Sequence, residues 1–205
     1  MSGGLKSVYG LTSTDEARDF YDTWAAGYEE ELAEAGYVTP MRAAAALAQF
    51  ASLPWAPLIE FGCGTGLGGL ALRAAGFECL DGFDISAEML ARAGEKQDLY
   101  RALGTVDLSQ PLDDLPEDEY QNAAAIGVLS PAHMPPTVLD QILSKLPTGG
   151  CLVYTLNDHS LADGSFDARL GDLIEGGPAE LIFKEHGPHL PGVDLSSTVY
   201  VVRRR

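Results

Sequence analysis

The chain has 205 residues and a net charge of −17, from 30 acidic and 13 basic side chains. Its length suits one domain with a single core, and a composition of 46% apolar and 21% charged residues excludes disorder, a collagen-like repeat and a disulfide scaffold. Polar residues and prolines interrupt the longest apolar stretch, residues 43–58, so we expect no membrane span. The first ten residues contain no apolar signal segment, and we expect a cytoplasmic protein.

Acidic residues are concentrated in two segments, residues 15–34 and residues 113–119. A chain this acidic repels phosphate backbones, so nucleic acid is a disfavoured partner. We interpret both segments as solvated surface, with an electrostatic funnel for a cationic substrate as the alternative. The three cysteines and four histidines lack metal-ligand spacing, and we expect no metal site.

Residues 1–55 are predicted to form a helical extension of two or three helices. Ser13 precedes an acidic first turn as a helix N-cap, and Gly36 ends a helix. Thr39 followed by Pro40 predicts the start of the next helix, with Thr39 as its N-cap.

From residue 56 the sequence alternates between strands and helices, which is typical of right-handed βαβ crossovers in a parallel sheet. The predicted strands of this part are residues 58–61, 77–83, 99–106, 120–129 and 151–156. Residues 179–184 and 197–203 predict a C-terminal antiparallel hairpin, with His186 and His189 in its Gly/Pro-rich loop. We therefore expect one α/β domain over residues 1–205, whose core, residues 56–205, is a doubly wound, mostly parallel seven-stranded sheet.

A glycine-rich turn follows the first predicted strand. Gly64, Gly66 and Gly69 satisfy the pattern GxGxxG, which lets a ligand approach the backbone at a helix N-terminus. Asp84 lies 22 residues after Gly62, at the end of the second strand, where a carboxylate can bind both hydroxyls of a ribose. Together these features predict a nucleoside-containing ligand, and tight strand–helix packing without a ligand is the alternative.

The same turn carries a family resemblance. Glu60-x-Gly62-x-Gly64-x-Gly66 resembles the first motif of class I S-adenosylmethionine-dependent methyltransferases. Residues 82–90 resemble their second motif, GxDxSxxML, and residues 105–108 their third. The segment FYDTWAAGY, residues 20–28, is similar to the small Williams–Beuren syndrome region methyltransferase-like proteins.

The resemblance covers nearly the whole chain and implies a Rossmann-like methyltransferase fold. It implies S-adenosylmethionine as cofactor, S-adenosylhomocysteine as product, and transfer of a methyl group to a small-molecule acceptor. In this family an acid at the position of Asp107 typically binds the adenine amino group, helped by the backbone of the next residue, here Leu108. The implied cofactor-binding residues are Tyr21, Tyr28, Glu60, Gly62, Cys63, Gly64, Gly66, Asp84, Ile85, Met89, Asp107, Leu108 and Ile126.

Substrate-facing groups are expected after the fourth strand, in residues 128–136, where His133 is a candidate base. Gln121 departs from the family pattern, which has an acid before this strand, and the departure concerns substrate-side chemistry. An Asn/Asp-Pro-Pro-aromatic tetrapeptide is absent, so the signature of nucleic-acid base methylation is missing. A non-catalytic cofactor-binding protein stays open as an alternative. A nicotinamide-dependent oxidoreductase is disfavoured because neither a second domain nor a Tyr-x-x-x-Lys pair is evident.

The aromatic residues of the extension suggest a cover for the ligand. Phe20, Trp24 and Tyr28 recur at four-residue spacing, which predicts one apolar helical face, and Tyr21 points to a neighbouring face. We expect Phe20 and Trp24 to pack the helix on the sheet. By the resemblance, Tyr21 and Tyr28 face the methionine part of the cofactor, and the surrounding acids favour a neutral or cationic acceptor.

Overall fold

The computed structural model describes residues 3–7, 10–11, 13–132 and 134–205. The strands are β1 Pro57–Phe61, β2 Cys79–Asp84, β3 Ala102–Thr105, β4 Asn122–Ala125, β5 Cys151–Asn157, β6 Ala179–Leu190 and β7 Leu195–Arg204. They form one sheet in the order β3-β2-β1-β4-β5-β7-β6, in which β7 runs antiparallel to both neighbours and the other pairs are parallel. The predicted doubly wound, mostly parallel sheet with a C-terminal antiparallel hairpin is confirmed.

Helices cover both faces of this sheet, which explains why its central strands are apolar on both sides. The helices of the described residues are α1 Gly3–Ser7, α2 Thr14–Trp24, α3 Tyr28–Ala35, α4 Thr39–Phe50, α5 Leu67–Ala74, α6 Ala87–Gly94, α7 Val138–Ser144, α8 Asp158–Leu161 and α9 Ser165–Glu175. Helices α4 and α5 pack in the core of one face, and α7 and α9 in the core of the other. Within the described ranges, no helix has the length and apolar character needed to cross a membrane.

The alternation of side chains along β1 divides the core. Leu58 packs in the cluster of α4 and α5, whereas Ile59 and Phe61 pack in the cluster of α7 and α9. All three are at most 1% exposed. Because alternate residues of a strand point to the same face, Glu60 lies on the same face of β1 as Leu58, and its carboxylate lies inside the protein at the end of the strand.

The N-terminal helices begin and end largely at the predicted signals, with one break. The Ser13 hydroxyl accepts a hydrogen bond from the Glu16 amide, and Gly36 ends α3 in the left-handed conformation with φ of 72°. The predicted single face through Tyr28 is wrong, because α2 ends at Trp24 and Tyr28 begins α3. Gly27 lies in the connection, where its low helix propensity favours an interruption.

The C-terminal hairpin is longer than predicted, and the histidines assigned to its loop lie in a strand. Both His186 and His189 belong to β6, and the actual turn is a short 3-10 helix over Pro191–Val193. Pro188 lies in this strand opposite Ser196 of β7. A proline is tolerated there because β6 is at the edge of the sheet and pairs only with β7.

Tertiary contacts also explain why Thr39 is not an N-cap. Its hydroxyl is hydrogen-bonded to Nδ1 of His189 at 2.8 Å and to the Ser197 hydroxyl at 2.9 Å, and α4 has no side-chain cap. Arg42, one turn further along α4, donates to the carbonyl oxygens of Pro188 and Ser197. This polar network, buried at Thr39 and His189, connects α4 to the C-terminal hairpin.

Candidate functional site

The sheet reverses its winding direction at β1. This strand pairs in parallel with β2 on one side and with β4 on the other, so the carboxyl ends of β3, β2, β1 and β4 lie side by side. Ligand sites of open α/β sheets form in the crevice at such a switch point. A cleft occurs there, walled by the residues that follow these four strands and by tyrosines of α2 and α3. We refer to it as the main cleft.

The loop after β1 has the backbone conformation that its glycines allow. Gly62 has φ of 66°, and an added Cβ there would lie 2.4 Å from the side chain of Val128, so the loops after β1 and β4 approach each other closely. Gly64 has φ of 54°, and an added Cβ would meet no heavy atom within 4 Å. Gly64 therefore presents its backbone to open space in the cleft, as close ligand approach requires.

The carboxylate of Asp84 is fixed at the end of β2 against this loop. One oxygen accepts the Gly64 amide at 2.8 Å and the other accepts the Ser86 amide at 2.9 Å. Burial raises the pKa of Asp84 above its usual value, and the amides of Ser86 and Gly64 act in the opposite direction. The acid predicted to bind a ribose thus lies in the main cleft with its orientation set by two backbone donors.

A second carboxylate, Glu60, lies deeper and is 1% exposed. It accepts a hydrogen bond from the Tyr100 hydroxyl at 2.6 Å, and burial raises its pKa to about 8. Together with Cys63, whose thiol has its pKa raised by burial, it lines a smaller cavity that adjoins the main cleft. A thiol with a raised pKa is a poor nucleophile.

The structure brings most of the predicted cofactor-binding residues together. Glu60 and Cys63 line the smaller cavity, and Gly66 lines neither cavity but turns the chain into α5 with φ of 97°. The predicted residues that line the main cleft are Tyr21, Tyr28, Gly62, Gly64, Asp84, Ile85, Met89, Asp107, Leu108 and Ile126.

Several lining residues were missed by the sequence analysis. Gly127 lies two residues after β4, and Thr14 and Ala17 lie on the first turns of α2. For Gly127, the position after a central parallel strand was a usable signal. Thr14 and Ala17 are placed by the packing of α2, which no local pattern encodes.

The charge of the main cleft is one-sided. Its described lining contains the carboxylates of Asp84 and Asp107 and no lysine, arginine or histidine. Asp22 lies nearby on α2, where it accepts hydrogen bonds from the Ser86 hydroxyl and the Glu88 amide. Such a cleft attracts a cation and repels a phosphate.

A further cavity of about 160 Å³ adjoins the main cleft and shares Tyr21, Gly127 and Val128 with it. We call it the side cavity. Its other walls are Leu11, residues 129–132 after β4, and Asn157, His159 and Ser160, where β5 passes into α8. Residues 129–132 belong to the segment in which substrate-facing groups are expected, and their contact with a substrate stays a prediction.

Two residues of the substrate-side analysis need separate comment. His133 lies outside the described residues, although its neighbours Ala132 and Met134 line the side cavity and the main cleft. Gln121 precedes β4 at its amino end, whereas the cleft is at the carboxyl end, beyond Ala125. Gln121 therefore lies at the end of β4 opposite to the cleft, and its link to substrate-side chemistry stays a prediction.

The sheet order, the glycine loop and the cleft at the switch point form a Rossmann-like fold of the kind seen in S-adenosylmethionine-dependent methyltransferases. Residues 39–199 match the family described as "Methyltransferase domain", and the chain belongs to that family. S-adenosylmethionine is the cofactor of this class.

The chain is similar to methyltransferase-like protein 27 of Homo sapiens, with 31% identity over 77% of this chain. The match spans 65% of the length of that curated relative. Two solved structures share the fold. A TehB-like S-adenosylmethionine-dependent methyltransferase from Corynebacterium glutamicum has a TM-score of 0.63 at 20% identity, covering 90% of this chain and 98% of its own. The methyltransferase in complex with the Haloferax volcanii Trm112 methyltransferase activator has a TM-score of 0.70 at 16% identity, covering 91% and 96%.

Proposed function

We propose that this protein transfers a methyl group from S-adenosylmethionine to a neutral or cationic small molecule. The observation that carries the proposal is the pairing of two adjoining spaces: an acid-bearing main cleft beside the glycine loop, and a side cavity that opens from it. A donor and an acceptor held in adjoining cavities react as if they were parts of one molecule, which removes much of the entropic barrier.

The residues of the main cleft fit this cofactor. Asp84 would accept hydrogen bonds from the ribose hydroxyls, since its carboxylate is already oriented by Gly64 and Ser86. Asp107 and the backbone of Leu108 would bind the adenine. When bound, S-adenosylmethionine supplies an activated methyl group on a sulfonium, so the protein's tasks are positioning, exclusion of water and proton removal.

The charge of the cleft favours this cofactor over a nicotinamide dinucleotide. The sulfonium and ammonium of S-adenosylmethionine are cations, whereas a dinucleotide carries an anionic pyrophosphate. In the described lining, Asp84 and Asp107 have no cationic side chain to offset them. The pyrophosphate would be repelled where the sulfonium is attracted.

We further propose that Tyr21 and Tyr28 cover the ligand. Their rings are 6.4 Å apart in edge-to-face contact, and both line the main cleft. Trp24 packs against Tyr28 with ring centroids 4.8 Å apart and belongs to a cluster with Leu32 of α3 and the turn of the hairpin. The aromatic cluster thus supports the cover, and water exclusion follows when the cover closes.

The experiment is a binding measurement followed by an acceptor screen. Isothermal titration with S-adenosylhomocysteine is expected to give micromolar affinity, and a parallel fluorescence titration with NADH is expected to give none. Phenols, amines, thiols and carboxylates are then incubated with S-adenosylmethionine, and S-adenosylhomocysteine release is measured against the Asp84→Asn variant. Binding without turnover of any acceptor would instead favour the non-catalytic cofactor-binding protein. Tight NADH binding would revive the oxidoreductase.

A further inference from the structure

The side cavity is lined by a histidine that the sequence analysis did not identify as a candidate base. His159, on α8, lines it and is exposed to solvent. The cavity shares Tyr21, Gly127 and Val128 with the main cleft, so a molecule inside it is next to the methionine end of a cofactor bound there. This inference rests on the proposed function.

Hydrogen bonds of its neighbours hold the segment that carries His159. The Asn157 side-chain oxygen accepts the Ser160 amide at 2.9 Å and thereby caps α8. The Ser160 hydroxyl donates to the carbonyl oxygen of Leu129 at 3.2 Å. This second bond joins the α8 wall of the side cavity to the wall formed by the loop after β4, next to His159.

The lining of the cavity indicates the acceptor. Its described lining has apolar side chains and the neutral polar groups of Ser130, Asn157 and Ser160, and it contains no Asp, Glu, Lys or Arg. A wall without carboxylates favours an uncharged molecule over an ammonium, because a buried charge needs a partner.

We propose that the acceptor is a neutral hydroxyl compound of the phenol class and that His159 is the catalytic base. In the reaction the acceptor oxygen bonds to the methyl carbon, the carbon–sulfur bond breaks, and its electron pair stays on the sulfur. The proton of the hydroxyl passes to the imidazole of His159, from which solvent removes it. Imidazole is the side chain suited to this exchange near neutral pH.

The ionisable groups around His159 come from three elements. Tyr21 of α2 lines the cavity on another side. Asp158, its neighbour on α8, accepts the Ser196 amide at 3.1 Å and lies 3.8 Å from Nε2 of His186 on β6. Asp158 is thus engaged with the hairpin. Among the described residues that line the side cavity, His159 is the one with an imidazole side chain.

The test compares His159→Gln with His186→Gln, a matched exposed histidine outside the cavity. With a panel of simple phenols, His159→Gln is expected to lower kcat/KM at neutral pH about 100-fold or more and to abolish the decline of the wild-type rate on the acid side. His186→Gln is expected to keep the wild-type profile. Both variants are expected to bind S-adenosylhomocysteine with wild-type affinity.

A second readout needs no turnover. Nitrophenol is added to the complex with S-adenosylhomocysteine, and the absorbance of the phenolate is followed against pH. Bound nitrophenol is expected to ionise at lower pH on the wild type than in free solution, and this shift is expected to disappear in His159→Gln. Turnover confined to amines or thiols, or an unchanged pH profile in His159→Gln, would overturn this inference and leave methyl transfer intact. Failure of the wild type to bind S-adenosylhomocysteine would overturn both.

Discussion

Replacing Asp84 by Asn gives the most direct test of the main cleft. The substitution keeps the size of the side chain but removes its charge and one of its two acceptor oxygens. The two oxygens accept the Gly64 amide at 2.8 Å and the Ser86 amide at 2.9 Å, and they are the groups assigned to the ribose hydroxyls. Hydrogen bonds to a charged group contribute about 1.5–3 kcal/mol each, so the loss of ligand affinity is expected to be about 2–4 kcal/mol.

That loss corresponds to a roughly 30- to 1000-fold weaker Kd for S-adenosylhomocysteine, measured by isothermal titration. The variant also loses part of its anchor for the glycine loop, so its melting temperature is measured alongside. Asp98→Asn provides the same charge change at an exposed site outside the cleft and is expected to leave both quantities unchanged.

A ligand comparison separates a direct contact with the ribose from a distorted loop. An S-adenosylhomocysteine analogue without the ribose hydroxyls is expected to bind the wild type weakly and to be weakened little further by Asp84→Asn. The difference between the two ligands is the coupling energy of a double-mutant cycle. Equal weakening of both ligands by the substitution, or wild-type affinity in Asp84→Asn, would refute the assignment of Asp84 to the ribose.

Two further predictions concern the network around α4 and the tyrosine cover. Burial lowers the pKa of His189 from 6.5 to about 4. The neutral form therefore stabilises the fold fully above pH 6.5, and about 3 kcal/mol of the free energy of unfolding is lost as the pH falls from 6.5 to 4. In chemical unfolding across this range, the free energy of unfolding is expected to decline less steeply in His189→Asn than in the wild type. Tyr28→Phe is expected to weaken S-adenosylhomocysteine binding about 3- to 10-fold, because one neutral hydrogen bond is lost, and to leave the melting temperature unchanged. In the wild type, the ligand is expected to protect residues 15–35 from hydrogen exchange.

Each of these has a matched control. His186→Asn changes an exposed histidine of the same strand, and it is expected to keep the wild-type dependence of stability on pH. Tyr120→Phe removes a tyrosine hydroxyl that donates to Asp81, outside the main cleft, and it is expected to leave ligand affinity unchanged. Identical exchange of residues 15–35 with and without ligand would contradict the cover, and equal pH slopes in wild type and His189→Asn would contradict the role of His189.

The helices and strands were predictable where the signal is local. Ser13, Gly36 and Ser86 cap helices as their residue types predict, because a cap is satisfied by neighbours within a few residues. Helix α9 was missed although Phe166, Leu170 and Leu173 are buried at helical spacing, so that signal was present in the sequence.

By itself the sequence determined the order of strands and helices, the glycine loop and the acid at the end of β2. These features depend on short-range spacing and on the conformational freedom of glycine, and together they define the class of the protein. Even the fold followed from them, because alternating strands and helices with short connections allow few arrangements.

Only the tertiary structure determined the contacts between segments that are distant in the sequence. The sequence around Thr39 predicts a helix N-cap, yet its hydroxyl is hydrogen-bonded to His189, 150 residues away. His189, which was predicted to lie in a loop, is buried at this contact. Likewise, residues after β4 and at the start of α8 form one cavity because β4 and β5 are neighbours in the sheet. His159 therefore became a candidate base through the order of strands, which no local pattern around it encodes.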